Sequence, residues 1–310
     1  MNRALHLLLC LPFVYAVPVA GQTPPPKEAP AQPQAGEKAR LEAWPELKGE
    51  ALKTAQTDVE RLRKASTEEM GAAGRAGLVQ AGAGAAPLLL AALGKEKDEE
   101  VRGRIVGVLD QITGAEHTRL LAKEFANKSR DVRLFVINRC ALFPDAALRA
   151  QAEPLLAKLV KDGEKADAEE RYAAALLATS TGSTAGLPAL HTAAMENWNK
   201  RGGRIRAALE GVRGPDASAQ ILAMFKDSDT PVPNGPLLAK EDRMRVVACL
   251  NVLAGCGDKS ALAKTKSFLD SNDNTVRVAA INAVLGIAEN KPPVKDLSAF
   301  EAVEMAKKLK

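Results

Sequence analysis

The stretch that decides the fold is DRMRVVACLNVLAGCGDKSALAKTKSFLD, running from Asp242 to Asp270. It opens on an acidic turn, passes through Met244-Arg245, and continues in small and apolar residues at helical spacing. Gly255-Cys256-Gly257-Asp258 then interrupts it: glycine ends one helix, and the aspartate carboxylate is placed to accept amide hydrogens from the first turn of the next. Past that stop, Ala261, Leu262, Thr265, Phe268 and Leu269 fall on one helical face. Two short amphipathic helices cannot bury their apolar faces alone, so such a unit needs neighbours of its own kind.

The neighbours are present. The opening pattern recurs as Asp98-Glu99-Glu100-Val101-Arg102, as Asp131-Val132-Arg133 and as Asp273-Asn274-Thr275-Val276-Arg277, with weaker copies around Arg171 and Arg204. Counting Arg245, successive arginines lie 31, 38, 33, 41 and 32 residues apart, the length of a two-helix repeat. After Arg277 the apolar positions Ala280, Ala283, Val284 and Ile287 share one face, and Gly214-Pro215-Asp216 repeats the stop signal. Aromatic residues make up only 4% of the chain, and Ala, Leu, Lys, Arg and Glu outweigh the strand-forming types. An all-α chain follows, and the repetition predicts an α-solenoid of six or seven antiparallel helix pairs.

On these residues the chain resembles the HEAT-repeat family of the short bacterial type, over roughly 67 to 290 and most closely at 98 to 143 and 240 to 288. The resemblance implies a structural ladder along the stack, carried here by Asp98, Arg102, Asp131, Arg133, Asp242, Arg245, Asp273 and Arg277. It also implies that the Val-Arg helices line a concave surface. Two units depart from the pattern: Glu170-Arg171 lacks the apolar residue before Arg, and Gly202-Gly203 stand where the unit of Arg204 should carry its acid. Tetratricopeptide and armadillo patterns are not matched.

The ends differ from the body. Residues 1–21 have a signal peptide's shape: Arg3, an apolar stretch from Ala4 to Val17, then small residues, with cleavage expected after Gly21 or after Ala16. Pro12 and Pro18 interrupt a run already shorter than the roughly 20 residues that span a bilayer. Residues 22–38, rich in Pro and Gln, read as an extended, solvated linker. Residues 39–66 read as N-terminal capping helices, and 67–310 as the repeat domain. The expected location is therefore exported, periplasmic or extracellular, with no membrane span left after cleavage.

Residues suited to chemistry are few. Cys140, Cys249 and Cys256 remain after the leader, an odd and sparse set that reads as buried thiols rather than a disulfide framework. His117 and His191 have no Cys or carboxylate at ligand spacing and sit near predicted helix starts, where an exposed or capping histidine is expected. Gly71, Gly74 and Gly77 lack the preceding strand and the Gly-Lys-Ser/Thr of a phosphate loop, and read as close helix packing. No catalytic residue, metal site or cofactor is expected. The net charge of +5, or +4 without the leader, and the scarcity of aromatics argue against nucleic acid.

What remains is a binding or scaffolding role toward a protein partner, without catalysis. The alternative is an accessory or catalytic subunit of an envelope enzyme, using a pocket on the concave face. Candidate contacts are the polar residues recurring on the Val-Arg helices, Arg104, Asn138, Arg206, Asn251 and Asn282, together with Pro231 and Pro233 in the long connection from Asp229 to Glu241.

Overall fold

The computed structural model describes residues 40–231, 236–294 and 297–309. The leader and the Pro-rich linker lie outside the described residues, as does Pro233. Among the described residues the secondary structure is helical, without strands. The proposed capping region contributes one helix rather than several: residues 40–48 are not helical, and α1 (Gly49–Lys64) packs on α2 (Glu68–Ala81). α3 (Ala86–Leu93) follows and packs on α4 (Glu99–Ile112), α5 (Thr118–Ala122) on α6 (Arg130–Leu142), and α7 (Arg149–Lys161) on α8 (Ala168–Ser180). α9 (Leu187–Leu209) lies against both α8 and α11 (Lys240–Cys256). α10 (Pro215–Leu222) packs on α11, α12 (Leu262–Ser267) on α13 (Asn274–Glu289), and α14 (Ala299–Leu309) on α13. The longer helices α6, α8, α9, α11 and α13 each touch the next in series.

The stretch 68–93 is long and apolar enough to cross a membrane by length and composition. It is not one continuous rod, because Gly82 takes φ +66, and Leu78, Leu89 and Leu93 are buried in the core.

The apolar pattern is buried as its spacing requires. Ala280, Ala283, Val284 and Ile287 face inward on α13; Ala261, Thr265, Phe268 and Leu269 are buried, with Leu262 half-buried beside them. The turn acids act as helix caps at three positions. Asp98 accepts from the amides of Glu100 (2.8 Å) and Val101 (3.1 Å), Asp273 from Thr275 (2.8 Å) and Val276 (3.4 Å), and Asp167 from Glu170 (3.0 Å). Asp258 caps the turn after the Gly255-Gly257 stop by accepting from Ser260.

The irregular middle is repaired locally. α9 contains a break at Asn197 (φ −159, ψ 76), where one helix ends and another begins. The Asn197 side chain accepts from the Lys200 amide at 3.1 Å, so an asparagine six residues before Gly203 does the capping that the pattern assigns to an aspartate. Glu170, the residue before Arg171, is buried and receives two hydrogen bonds from Arg133, at 2.7 and 3.1 Å.

The arginine that marks a unit reaches back to carbonyls preceding its own helix in four of the six units, Arg204 and Arg245 being the exceptions. Arg102 donates to Lys97, Arg133 to Asn127 and Lys128, Arg171 to Gly163 and Arg277 to Ser271. The expected ladder is present in altered form. Arg102 pairs with Asp131 across α4 and α6 (3.6 Å), Arg130 with Asp167 across α6 and α8 (2.9 Å), Arg201 with Glu169 across α9 and α8 (2.6 Å), and Arg243 with Asp273 across α11 and α13 (3.3 Å). Arg245 does not join it: it turns to Asp242 and to buried Asp229, in the connection ahead of its own helix.

Between α11 and α13 the backbones approach closely. A Cβ on Gly286 would stand 2.3 Å from the Ala254 carbonyl oxygen, so only hydrogen fits at that crossing. Gly74 and Gly77 play the same part where α2 meets α1, against the Asp58 carbonyl and carboxylate, in accord with the close packing expected of that glycine run.

Candidate functional site

The five polar residues of the Val-Arg helices separate into two groups. Arg104, on α4, donates to the Ala65 carbonyl at 3.3 Å. Asn138, on α6, donates to the Leu134 carbonyl (2.9 Å) and accepts from Arg204 (2.6 Å). Both therefore bond within the protein, although the buried Nε of Arg104 meets no acceptor among the described residues. Asn138 borders a groove of about 740 Å³ with Val106, Leu134, Phe135, Arg139 and the 61% exposed Leu142.

Arg206, Asn251 and Asn282 instead converge on one cavity of about 320 Å³, formed where the second half of α9 meets α11 and α13. Its frame is built by hydrogen bonds. Arg213 donates to the carbonyls of Gly255 (3.2 Å), Gly286 (3.2 Å) and Ala254 (3.5 Å), which the ends of α11 and α13 leave open. Asn282 holds the segment after α13 through both its amide groups, accepting from the Val294 amide (2.8 Å) and donating to its carbonyl (3.4 Å). That segment turns at Asn290, in the left-handed region at φ 51, and brings Lys291, Pro292 and Pro293 to the cavity wall. Lys291 is paired with Glu289.

Within this frame two side chains are uncommitted. The Arg206 guanidinium lies 4.9 Å from the centre of the Trp198 ring, and among the described residues no carboxylate or carbonyl accepts from it. Burial draws its pKa below the usual arginine value. Asn251 is only 7% exposed, and its amide has no hydrogen-bond partner among the described residues. Glu210, exposed and without an ion-pair partner among the described residues, stands at the cavity edge. Arg213, Glu210, Trp198 and the Pro292-Pro293 segment were not singled out from the sequence. Only the proline pair following a long helix carried a usable signal, that of a chain turning back.

Pro231 is half-buried at the edge of the described residues and joins neither cavity. The Asp229 end of its connection is anchored rather than free, since Asp229 is buried, accepts from the Lys226 amide (2.7 Å) and pairs with Arg245.

The histidines correct the expectation of exposure. His117 is a cap, accepting from the Gly114 amide at 3.0 Å, but it is buried and stacked on Trp44 at 5.5 Å. His191 is buried within α9, and its Nε2 lies 3.2 Å from the Cys249 sulfur and 3.3 Å from the Arg245 carbonyl oxygen. The two residues are 58 apart in the chain, beyond any spacing rule, and meet because α9 packs on α11. The distance suits a nucleophile and its base, but the environment does not. Burial pushes the Cys249 thiol up to about 12 and depresses His191, so both sit neutral near pH 7. Cys140 and Cys256 are buried free thiols, likewise pushed up to about 12. Among the described residues no three His, Cys, Asp or Glu side chains gather as a metal site.

No family model matches the chain, and neither the curated proteins nor the solved structures contain a match to it.

Proposed function

We propose that the chain is an exported HEAT-like solenoid of six or seven helix pairs that binds a protein partner and performs no catalysis of its own. The leader's composition supports export, and the serial contact of α6, α8, α9, α11 and α13 supports the solenoid. The observation that carries the binding role is the cavity at α9, α11 and α13. There the protein builds a hydrogen-bonded frame from Arg213 and Asn282 while leaving Arg206 and Asn251 without partners. Both side chains line the cavity with hydrogen-bonding capacity that no described residue uses. The neutral, buried state of Cys249 and His191 favours binding over the alternative of an envelope enzyme.

The test is affinity capture from the envelope fraction of the native host, with wild-type protein and with the double variant Arg206→Gln/Asn251→Ala. A partner recovered reproducibly by the wild type and depleted with the double variant is expected. Recovery of no reproducible partner by the wild type sinks the reading.

A further inference from the structure

We propose that the cavity between α9, α11 and α13 is a binding site for a carboxylate group, gripped by the Arg206 guanidinium and the Asn251 side-chain amide. The protein partner proposed above is one possible carrier of that group, so this deepens the binding reading; the site itself is argued independently of it.

The argument starts from which donors are spent. Arg213 is occupied by three carbonyls, Lys291 by Glu289, and Asn282 by both backbone groups of Val294. That leaves a guanidinium and one amide, 93% buried, opening on the same space. Both face the cavity with donors that no described residue uses, so a ligand reaches them without breaking a contact of the protein's own. The group that accepts from a planar fork of N–H donors and an adjacent amide together is a carboxylate.

Electrostatics and shape agree. Helix C-termini ordinarily repel anions, and α11 and α13 both end here, but Arg213 already covers their exposed carbonyls. Stacking on Trp198 holds the Arg206 plane in place before any ligand arrives. A volume of about 320 Å³ suits a small acid or a chain end and excludes a folded surface. The Pro292-Pro293 wall offers apolar surface to the carbon portion, while Glu210 at the rim repels a second negative charge. The favoured ligand therefore carries a single carboxylate.

The experiment titrates the full exported chain by calorimetry and by ¹⁵N NMR of the side-chain amide and guanidinium signals. The probes are N-acetylalanine, N-acetyl-trialanine, the C-terminal amide of that peptide, and succinate. The free acids should bind and shift the Asn251 and Arg206 signals, with the amide and succinate weaker by about tenfold or more. Arg206→Gln and Asn251→Ala should each weaken the free acids by about tenfold with helical circular dichroism and Tm unchanged, and Arg206→Lys should retain part of the affinity. Tighter binding of the tripeptide than of N-acetylalanine identifies a polypeptide terminus as the source; equal binding identifies a free small acid. Free acids that bind no better than the amide, or that bind the two variants as well as the wild type, overturn the proposal. If partner capture persists in the double variant while the acids fail to bind, the carboxylate site alone is lost. If the acids bind and no partner is captured, the protein-partner reading alone is lost.

Discussion

The helices from α4 to α8 and those from α9 to α13 are held together by different means, and the difference decides where polar side chains are left over. In the first region the ties are charged. Arg102 meets Asp131, Arg130 meets Asp167, and Arg133 grips Glu170 with two hydrogen bonds. Polar groups near them are drawn into the same network: Arg104 to Ala65, and Asn138 to Leu134 and Arg204. In the second region one such pair, Arg243 with Asp273, also joins α11 and α13, but these helices approach so closely that Gly286 abuts the Ala254 carbonyl. Contact there is made by buried aliphatic side chains such as Val246, Leu250, Val276 and Ile281 and by close backbone approach, and Arg206 and Asn251 are not drawn into it.

The largest effect should come from the close crossing. Gly286→Ala places a methyl group 2.3 Å from a backbone oxygen, which no rotamer change relieves, so α11 and α13 must move apart. A loss of about 3 kcal/mol in urea unfolding is expected, together with loss of the cavity, because the Gly286 carbonyl is one of those holding Arg213. Unchanged stability would mean that the second region is not held by backbone approach. In the first region Glu170→Ala removes a buried carboxylate that accepts twice from Arg133, and should cost about 2 kcal/mol. It leaves the distant cavity intact, so the two variants separate by ligand binding as well as by stability.

How much of this contrast the sequence reveals follows from how local each device is. Helix caps are local, and Asp98, Asp258 and Asp273 are legible as caps because the acceptor and the amides it serves lie within three residues. The cap at Asn197 escapes the pattern since it uses another residue type at a shifted position. The recurrent arginine is visible as a period, but its reach to the carbonyls before its own helix is geometric. The candidate residues share a helical register, which correctly puts Arg206, Asn251 and Asn282 beside one another. Register carries no information on whether a neighbour consumes the side chain, and so Arg104 and Asn138 look equivalent to Asn251 in sequence while differing in the fold. The Cys249–His191 contact depends wholly on α9 packing against α11.

That contact gives the second region a pH signature. Burial holds the folded-state pKa of His191 below that of a free imidazole, so the unfolded chain takes up a proton at higher pH than the folded one. The contribution is fully present above the unfolded value, about 6.5, and is lost as pH falls from there toward the depressed folded pKa. The Arg245 carbonyl opposes this shift by accepting from the ring and the Arg245 charge adds to it, burial remaining the largest cause, and the Cys249 thiol stays neutral across this range. Urea midpoints at pH 7.5 and pH 5.0 should therefore differ, and His191→Gln should flatten the difference. A wild-type midpoint that does not fall between those pH values would show that His191 is not shielded by the packing of α9 on α11.

The smallest effect is the most discriminating, because it sets two asparagines against each other. Asn138 donates to a carbonyl and accepts from Arg204, and Asn138→Ala should cost about 1 kcal/mol while leaving carboxylate binding untouched. Asn251 is the more deeply buried of the two, and on burial alone its removal should cost more. Its amide, however, bonds to no described residue and opens on the cavity, so Asn251→Ala should change stability by less than about 0.5 kcal/mol in either direction. Urea unfolding of the two variants side by side decides the point. A larger cost at Asn251 than at Asn138 would mean that the buried amide serves the fold, and the division between spent and unspent polar residues would fail at its central residue.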